Sequence, residues 1–221
     1  MAPGTERLLR ILRILEGAER TYTSAELETL TGWPGHTIRK DISSLGFEPG
    51  GGRTSGKLRG GRHPGAGTSA GYDPRRLVPR IKEALGLDTR RTFCVVGLGR
   101  LGSAYLNFDP ASLGEFELAA GFDTNVNRVE ILKSPVPLYP AHKMGEVISR
   151  LGIEIALLCV PAEAAQGAAE KLAAAGIRGI VNFAPVNLVL PQGSTVVRNV
   201  YVKDELRALA VTIPPKKRNL F

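Results

Sequence analysis

Apolar residues recur at helical spacing in three short segments near the start of the chain. Between Leu8 and Leu15 they follow the i, i+3, i+4, i+7 pattern, which predicts an amphipathic helix that ends at Gly17. Residues 23–31 and 36–47 predict two further helices, joined by the turn "GWPG". Short helices connected by such a turn are typical of a helix-turn-helix, whose last helix enters the major groove of DNA.

The rest of the chain alternates apolar strand-like runs with helical segments. Strands are predicted in residues 93–96, 116–123, 153–161, 177–185 and 194–202. This alternation predicts a parallel sheet with helices on both faces, as in a Rossmann-type domain. We therefore expect an α/β protein in which a helix-turn-helix domain precedes a Rossmann-type domain.

The third predicted helix turns polar and basic side chains away from its apolar face. Arg and Lys can contact guanine edges or phosphates in a DNA groove, whereas Ser and Thr contact mainly phosphates. The candidate DNA-binding residues of this helix are His36, Thr37, Arg39, Lys40 and Ser43.

Positive charge is concentrated in the first part of the chain. The net charge is +8, and residues 1–90 carry fifteen Lys and Arg against ten Asp and Glu. Residues 49–72 contain no acid and four cations, namely Arg53, Lys57, Arg59 and Arg62. A localised excess of this kind favours a polyanionic partner such as double-stranded DNA.

The segment "GGRTSGKLRGGR", residues 51–62, partly fits the phosphate-binding pattern G-x-x-x-x-G-K. The pattern next needs Ser or Thr for Mg²⁺, but this chain has Leu58, and no buried strand precedes the segment. Winged variants of the helix-turn-helix carry a β-hairpin after the last helix. We therefore predict a long basic wing here, with a solvated linker as the alternative for its tip.

A glycine motif follows the first strand of the second domain. The pattern G-x-G-x-x-G begins a helix and predicts a site for the pyrophosphate of a dinucleotide. About twenty residues on, Asp123 ends the second strand and is placed to accept a hydrogen bond from a ribose hydroxyl, which favours NAD over NADP. The motif comprises Gly97, Leu98, Gly99, Arg100, Leu101 and Gly102.

No catalytic group accompanies this predicted cofactor site. A dehydrogenase needs an acid or base near the nicotinamide and a domain that holds substrate. His36, His63 and His142 are predicted on the DNA-binding helix, in the glycine-rich segment and at a helix start, and only a short tail follows residue 202. We therefore expect a protein that binds NADH or NAD without converting it.

The sequence shows no recognisable targeting signal and places its cysteines in apolar runs, so we expect a cytoplasmic protein without a membrane partner. No apolar run approaches the ~18 residues needed to span a bilayer, and the N-terminus lacks the pattern of a secretory signal. Cys94 and Cys159 lie inside apolar runs, where we expect buried, reduced thiols and no metal site.

Several segments stand where the bacterial family of redox-sensing repressors called Rex has similar ones, and the resemblance extends over almost the whole chain. They include "TIRKDISSLG", "AGYD", "GLGRLG", "AAGFD", "VPLYP" and "AAGIRGIVNFAP". The resemblance implies a winged helix-turn-helix domain (1–76), an NAD(H)-binding domain (77–202) and a C-terminal dimerisation helix with a basic tail (203–221). It also implies a homodimer with swapped terminal helices that binds an inverted-repeat operator and releases it when NADH binds.

The resemblance also implies roles for particular residues. By position, Val160, Pro161, Asn182, Phe183 and Ala184 would surround the nicotinamide end of the cofactor.

A switch-coupled polar cluster in the Rex family joins an Arg of the first helix, a Tyr after the first Rossmann helix and an Asp that opens the swapped helix. This chain keeps Arg13 but has Phe108 and Tyr201 at the other two positions, and Val202 where the family has an aromatic residue. Without the Asp, Arg13 loses a charge-assisted partner.

Two alternatives to an NADH-responsive repressor therefore stay open. One is a constitutive DNA-binding regulator whose NADH response is weakened or lost, which the changes at Phe108, Tyr201 and Val202 favour. The other is a small NAD-dependent oxidoreductase with an accessory basic domain, against which the absence of a predicted substrate domain argues.

Overall fold

The structure is a computed structural model that describes residues 3–47, 71–193 and 195–213. It divides into two compact units, Met1–Thr89 and Arg90–Phe221. The predicted wing cations Arg53, Lys57, Arg59 and Arg62 and the basic tail lie outside the described residues. Among the residues described, no helix is long and apolar enough to cross a membrane.

The described part of the first unit contains four helices: α1 (Pro3–Leu15), α2 (Ser24–Thr31), α3 (Gly35–Ser43) and α4 (Pro74–Leu85). The domain boundary expected at residue 76 falls inside α4. Leu77 and Ile81 of that helix are fully buried in one apolar cluster with Ile11 of α1 and Ile38 of α3. Because these residues share a core, α4 belongs to the first unit and the boundary follows Thr89.

Local hydrogen bonds fix the angle between α2 and α3. Thr23 and Glu26 form a reciprocal capping box at the start of α2, and Gly32 ends that helix with φ of 77°. Pro34 offers α3 no side-chain cap, so the Glu28 carboxylate accepts a 2.8 Å hydrogen bond from the Gly35 amide instead. The predicted helix-turn-helix is thus confirmed, and one side chain of α2 satisfies the first amide of α3.

The second unit is a six-stranded parallel sheet, as expected for a Rossmann-type fold. Its strands are β1 (Arg91–Val96), β2 (Phe116–Asp123), β3 (Leu138–Pro140), β4 (Ile155–Leu158), β5 (Gly179–Asn182) and β6 (Val196–Asn199). The spatial order is β3-β2-β1-β4-β5-β6. The strand order reverses between β1 and β4, and ligands of open α/β sheets bind beyond the strand ends at such a point.

Helices cover both faces of the sheet, namely α5 (Arg100–Leu106), α6 (Val126–Ile131), α7 (Met144–Leu151) and α8 (Ala162–Ala174), with short 3₁₀ turns at Pro110–Leu113 and Ala141–Lys143. The last helix, α9 (Val202–Thr212), has no buried residue. Alternate residues of β1 enter different cores, since Cys94 and Val96 pack in one apolar cluster and Phe93 and Val95 in another. The three-residue strand β3 is too short to show an alternating pattern, so the sequence did not predict it.

Candidate dinucleotide cleft and DNA-binding surface

Two of the three motif glycines are required by the protein itself. Gly97 has φ of +89°, and a Cβ there would lie 2.7 Å from the Cys159 carbonyl oxygen. A Cβ on Gly102 would lie 1.9 Å from the Gly97 oxygen, where no side chain fits. These glycines let the loop turn and let α5 pack against β1 and β4, as the G-x-G-x-x-G pattern predicts.

The fold does not require glycine at the middle position of the motif, Gly99. Gly99 has an ordinary negative φ of −66°, and a Cβ there would meet no atom within 4 Å. Its lack of a side chain leaves open space beside the loop backbone. A ligand that approaches that backbone closely would need this space.

Asp123 braces the glycine loop from the end of β2. Its side chain is only 5% exposed; Oδ2 accepts from the Leu98 amide at 2.7 Å and from Arg128 at 3.0 Å, and Oδ1 from the Asn125 amide at 2.7 Å. Burial disfavours the charged carboxylate, but the two amides and Arg128 outweigh it, so the pKa of Asp123 lies below its ordinary value. Oδ1 keeps one acceptor position for a further donor such as a ribose hydroxyl.

These elements enclose a cleft of about 690 Å³ at the carboxyl ends of β1, β2 and β4. The predicted residues Gly97, Gly99, Asp123, Val160 and Pro161 line it. Leu98, by contrast, is buried in the core and offers only its backbone to the loop, while Leu101 and Arg100 are exposed on α5.

Three charged residues that also line the cleft were not predicted from the sequence. Arg128 follows Asp123 by five residues and is 43% exposed, and Glu163 and Lys171 lie on α8. Arg128 could have been predicted from its position just after the acid at the end of β2, because a basic residue there affects the adenosine ribose site. Lys171 reaches the cleft only through tertiary packing of α8.

The predicted nicotinamide residues at the end of β5 form a separate hydrogen-bonded group. Asn182 is fully buried; its amide nitrogen donates to the Val186 carbonyl at 2.9 Å and to Asn199 Oδ1 at 3.0 Å. Its oxygen accepts from the Ala184 amide at 3.0 Å. Asn182 therefore fixes the loop that follows β5 and ties it to the end of β6.

An aromatic row extends from this loop. The Phe183 ring lies 5.3 Å from Tyr105, which lies 4.8 Å from Phe108 in an edge-on arrangement. Phe108, at the family's Tyr position, is 46% exposed and makes ring contacts instead of the polar contacts of a hydroxyl. Tyr105 has a pKa above its ordinary value, chiefly because burial disfavours a phenolate.

Tyr201, at the family's Asp position, bonds within its own unit. Its hydroxyl donates to the Val186 carbonyl at 2.5 Å and lies 3.3 Å from Asn187 Oδ1. Tyr201, the residue before α9, therefore donates to the same Val186 carbonyl that accepts a hydrogen bond from Asn182. Arg13 is exposed on α1 and makes no ion pair among the described residues, and Val202 is 67% exposed.

Both thiols are protonated at neutral pH. Burial raises the pKa of Cys94 to about 12 and that of Cys159, which lines the cleft, to about 11. The described residues contain no group of three or more His, Cys, Asp or Glu that could hold a metal ion.

In the first unit, α3 presents the predicted polar face to solvent. His36, Arg39, Lys40 and Ser43 are exposed and Thr37 is half-buried, while the apolar residues on the other side are in the core. The one acid of this helix, Asp41, is held by Arg7 of α1 through two hydrogen bonds. Because that acid is neutralised inside the unit, the exposed charge of α3 is positive.

The chain joins a helix-turn-helix to a sheet that carries a glycine-walled cleft, which is the arrangement of a two-domain DNA-binding protein with a ligand site. Comparison with known proteins identifies its family. A family model described as "CoA binding domain" matches residues 88–186. Redox-sensing transcriptional repressor Rex of Levilactobacillus brevis is 32% identical over 90% of this chain and 86% of its own length. Rex of Ligilactobacillus salivarius is 33% identical over the same shares.

Solved structures agree over nearly the whole chain. The Rex-family repressor RSP is 28% identical, with a TM-score of 0.74 over 96% of this chain and 93% of its own. RSP with β-NAD⁺ and operator DNA is 27% identical, with a TM-score of 0.76 over 96% of this chain and 91% of its own. This chain belongs to the Rex family of redox-sensing transcriptional repressors.

Proposed function

We propose that this protein is a homodimeric repressor that binds operator DNA and releases it when NADH occupies the cleft. One chain combines an exposed basic helix-turn-helix with a glycine-walled cleft, and this combination carries the proposal. Relatives named as redox-sensing repressors and RSP structures with β-NADH and with operator DNA support it. A regulator of this kind acts on the chromosome, so we place it in the cytoplasm.

The proposed DNA contacts come from the outer face of α3. Arg39 and Lys40 lie among exposed polar residues with no neutralising acid on that face, so they can meet base edges or phosphates of the major groove. The wing cations Arg53, Lys57, Arg59 and Arg62 would add phosphate contacts that carry no sequence information.

The proposed ligand is NADH, with its pyrophosphate beside Gly99 and its adenosine ribose at the open position of Asp123 Oδ1. Val160, Pro161, Phe183 and Ala184 would then face the nicotinamide. Among the described residues that line the cleft, none is a histidine, and the Cys159 thiol is a poor acid or base at neutral pH because its pKa is about 11. We therefore propose binding without hydride transfer or other catalysis.

The proposed dimer would use α9. Its apolar residues Leu206, Leu209 and Val211 are 57 to 89% exposed, which is unusual for one helix unless another surface covers it. A second copy of the chain is the partner that the family relationship supports. NADH would then act by binding one arrangement of the dimer better than the other.

Calorimetric titration tests the ligand half of the proposal. NADH, NAD⁺ and coenzyme A should be titrated separately into the purified full chain, since the domain description names coenzyme A. We expect NADH to bind most tightly. Binding of coenzyme A alone would contradict the proposed ligand.

Selection from a random 30-base-pair duplex library tests the DNA half. We expect an inverted repeat to emerge, because a two-fold dimer reads two half-sites. Arg39→Ala should then lose about 1 to 3 kcal/mol if the side chain reads a base, or weaken binding evenly across sequences if it holds a phosphate. Failure to enrich any sequence would contradict a specific repressor.

One observation favours the second candidate, a regulator that no longer responds to NADH. Arg13 lacks an ion pair in the described chain, and Tyr201 directs its hydroxyl to Val186 of its own unit. Tight DNA binding that NADH does not change, together with measurable NADH binding, would identify this candidate.

A further inference from the structure

The ends of the predicted wing meet at one place, which we call the wing foot and define as Phe47, Tyr72 and Arg76. Phe47 follows the end of α3 by four residues, and Tyr72 precedes α4. The Phe47 and Tyr72 rings are 6.3 Å apart and both are buried. Tyr72 is also held by two backbone hydrogen bonds to Tyr22, so both ends of the wing segment are fixed beside α3.

Arg76 places a positive charge on this foot. Its guanidinium lies over the Phe47 ring, 5.2 Å from the centroid, and the residue is exposed to solvent. A ring contact of this kind holds a guanidinium by its flat face and leaves the N–H groups at its edge available.

Several arginines of the unit are neutralised by a carboxylate. Arg7 pairs with Asp41, Arg20 with Glu26 and Arg80 with Glu83. Arg10 resembles Arg76 in lying over a ring, 5.6 Å from the Trp33 centroid, but it belongs to α1. Among the described residues Arg76 makes no ion pair, and the buried Phe47 ring positions its charge close to the end of α3.

The chemistry of that arrangement fits a phosphate group. A guanidinium presents donors in a fork that matches phosphate oxygens, and an aromatic ring reduces the conformational freedom that binding would remove. Because the foot adjoins the end of α3, a duplex that receives α3 in its major groove brings its backbone towards this region.

We propose that Arg76 is a DNA-phosphate contact at the wing foot, additional to α3 and to the wing. This inference rests on the proposed function as a DNA-binding repressor. A purely structural alternative is that the aliphatic stem of Arg76 only covers the Phe47 ring from water. The two roles differ in whether the charge itself matters to DNA binding.

Salt dependence of DNA binding separates these roles. The affinity of the full chain for a duplex selected from the random library is measured over a range of salt concentrations, for wild type and Arg76→Met. Methionine keeps an apolar cover on Phe47 but removes the charge. Each lost phosphate contact should reduce the slope of log affinity against log salt by about 0.9. Loss of one contact in each subunit of the dimer should therefore reduce the slope by about 1.8 and weaken binding evenly across sequences.

Three variants make the result specific. Arg76→Gln also removes the charge and should reproduce the smaller slope, whereas Arg76→Lys retains the charge and should keep most of it. Arg80→Met is the matched control, because Arg80 lies one turn further along α4 and pairs with Glu83. Its slope should equal that of wild type, and thermal unfolding should give closely similar midpoints for all four variants.

A wild-type slope in both Arg76→Met and Arg76→Gln would overturn the inference and leave the proposed function intact. Reduced affinity with a lowered unfolding midpoint and an unchanged slope would also overturn it, because Arg76 would then be structural. If the wild-type chain binds no duplex, the proposed function itself fails and the inference fails with it.

Discussion

Two loops at the carboxyl ends of the strands, the glycine loop after β1 and the loop after β5, are built by different kinds of interaction. At the glycine loop, the backbone itself sets the structure, because Gly97 and Gly102 have no room for a Cβ. At the end of β5, side chains set it, because Asn182 and Tyr201 both donate to the Val186 carbonyl. Gly97 and Gly102 therefore tolerate no larger residue, whereas the loop after β5 can be rearranged by changing one hydrogen-bonding group.

This difference separates binding from response. The glycine loop offers a fixed surface to a ligand. It follows β1, which β4 and β5 separate from β6, the strand before α9. The loop after β5 is connected to α9 by the Tyr201 hydroxyl, so a ligand that contacts Phe183 or Ala184 can alter the start of that helix. We therefore expect changes in the glycine loop to affect folding or affinity, and changes in the loop after β5 to affect coupling.

The largest effect is expected from Gly102→Ala. The new methyl group would overlap the Gly97 carbonyl oxygen and force α5 away from the loop. We expect the free energy of unfolding to fall by about 3 kcal/mol or more, measured by urea denaturation. Gly145→Ala is the matched control, since that exposed helical glycine has open space and should lose nothing. Equal stability of the two variants would contradict the steric account of the loop.

Asp123→Asn should have the next largest effect. One amide oxygen cannot satisfy the Leu98 and Asn125 amides and Arg128 together, so we expect a loss of about 2 kcal/mol. Because the pKa of Asp123 is lowered on folding, its carboxylate stabilises the fold above the unfolded-state value of 3.8, and this stabilisation is lost as the pH falls through the folded-state value.

Unfolding measured across the acid range checks that sign. Wild type should lose stability towards low pH more steeply than Asp123→Asn. Parallel curves for the two proteins would show that the carboxylate charge contributes nothing to the brace.

Gly99→Ala should weaken ligand binding without loosening the fold. The φ of −66° suits alanine and the protein leaves the space open, so stability should change by less than about 0.5 kcal/mol. A methyl group where the pyrophosphate approaches should weaken NADH binding at least about tenfold, or 1.4 kcal/mol, in a calorimetric titration. Unaltered NADH affinity would place the pyrophosphate elsewhere.

Tyr201→Phe removes one hydrogen bond and keeps the ring, so we expect a loss of stability of only about 1 kcal/mol. Its informative effect is on coupling, measured as the ratio of DNA affinities without and with NADH. We expect that ratio to fall severalfold while NADH affinity changes little. Tyr139→Phe is the control, because Tyr139 lies on β3 and its hydroxyl has only a 3.5 Å contact with Arg150 of α7. An unchanged ratio in Tyr201→Phe would exclude this hydrogen bond as the link.

The same contrast explains what could be predicted from the sequence. Constraints on the backbone leave a residue-type pattern, so the glycine motif, the alternation of strands and helices and the helix-turn-helix were all predictable. The bonds of Tyr201 to Val186 and of Asp123 to Leu98 depend on how distant loops pack, and no local pattern encodes them. The assignment of α4 to the first unit likewise depends on Leu77 and Ile81 meeting the core of α1 and α3.

The proposed function requires that NADH in the cleft weakens DNA binding. Its most direct test is the dissociation constant of the full chain for its selected duplex, measured by fluorescence anisotropy at fixed salt without NADH and with saturating NADH. Coupling of about 1 to 3 kcal/mol predicts DNA binding at least about fivefold weaker with NADH, and by linkage the same factor for NADH binding to the protein–DNA complex. Equal dissociation constants, in a protein that demonstrably binds NADH, would contradict the claim.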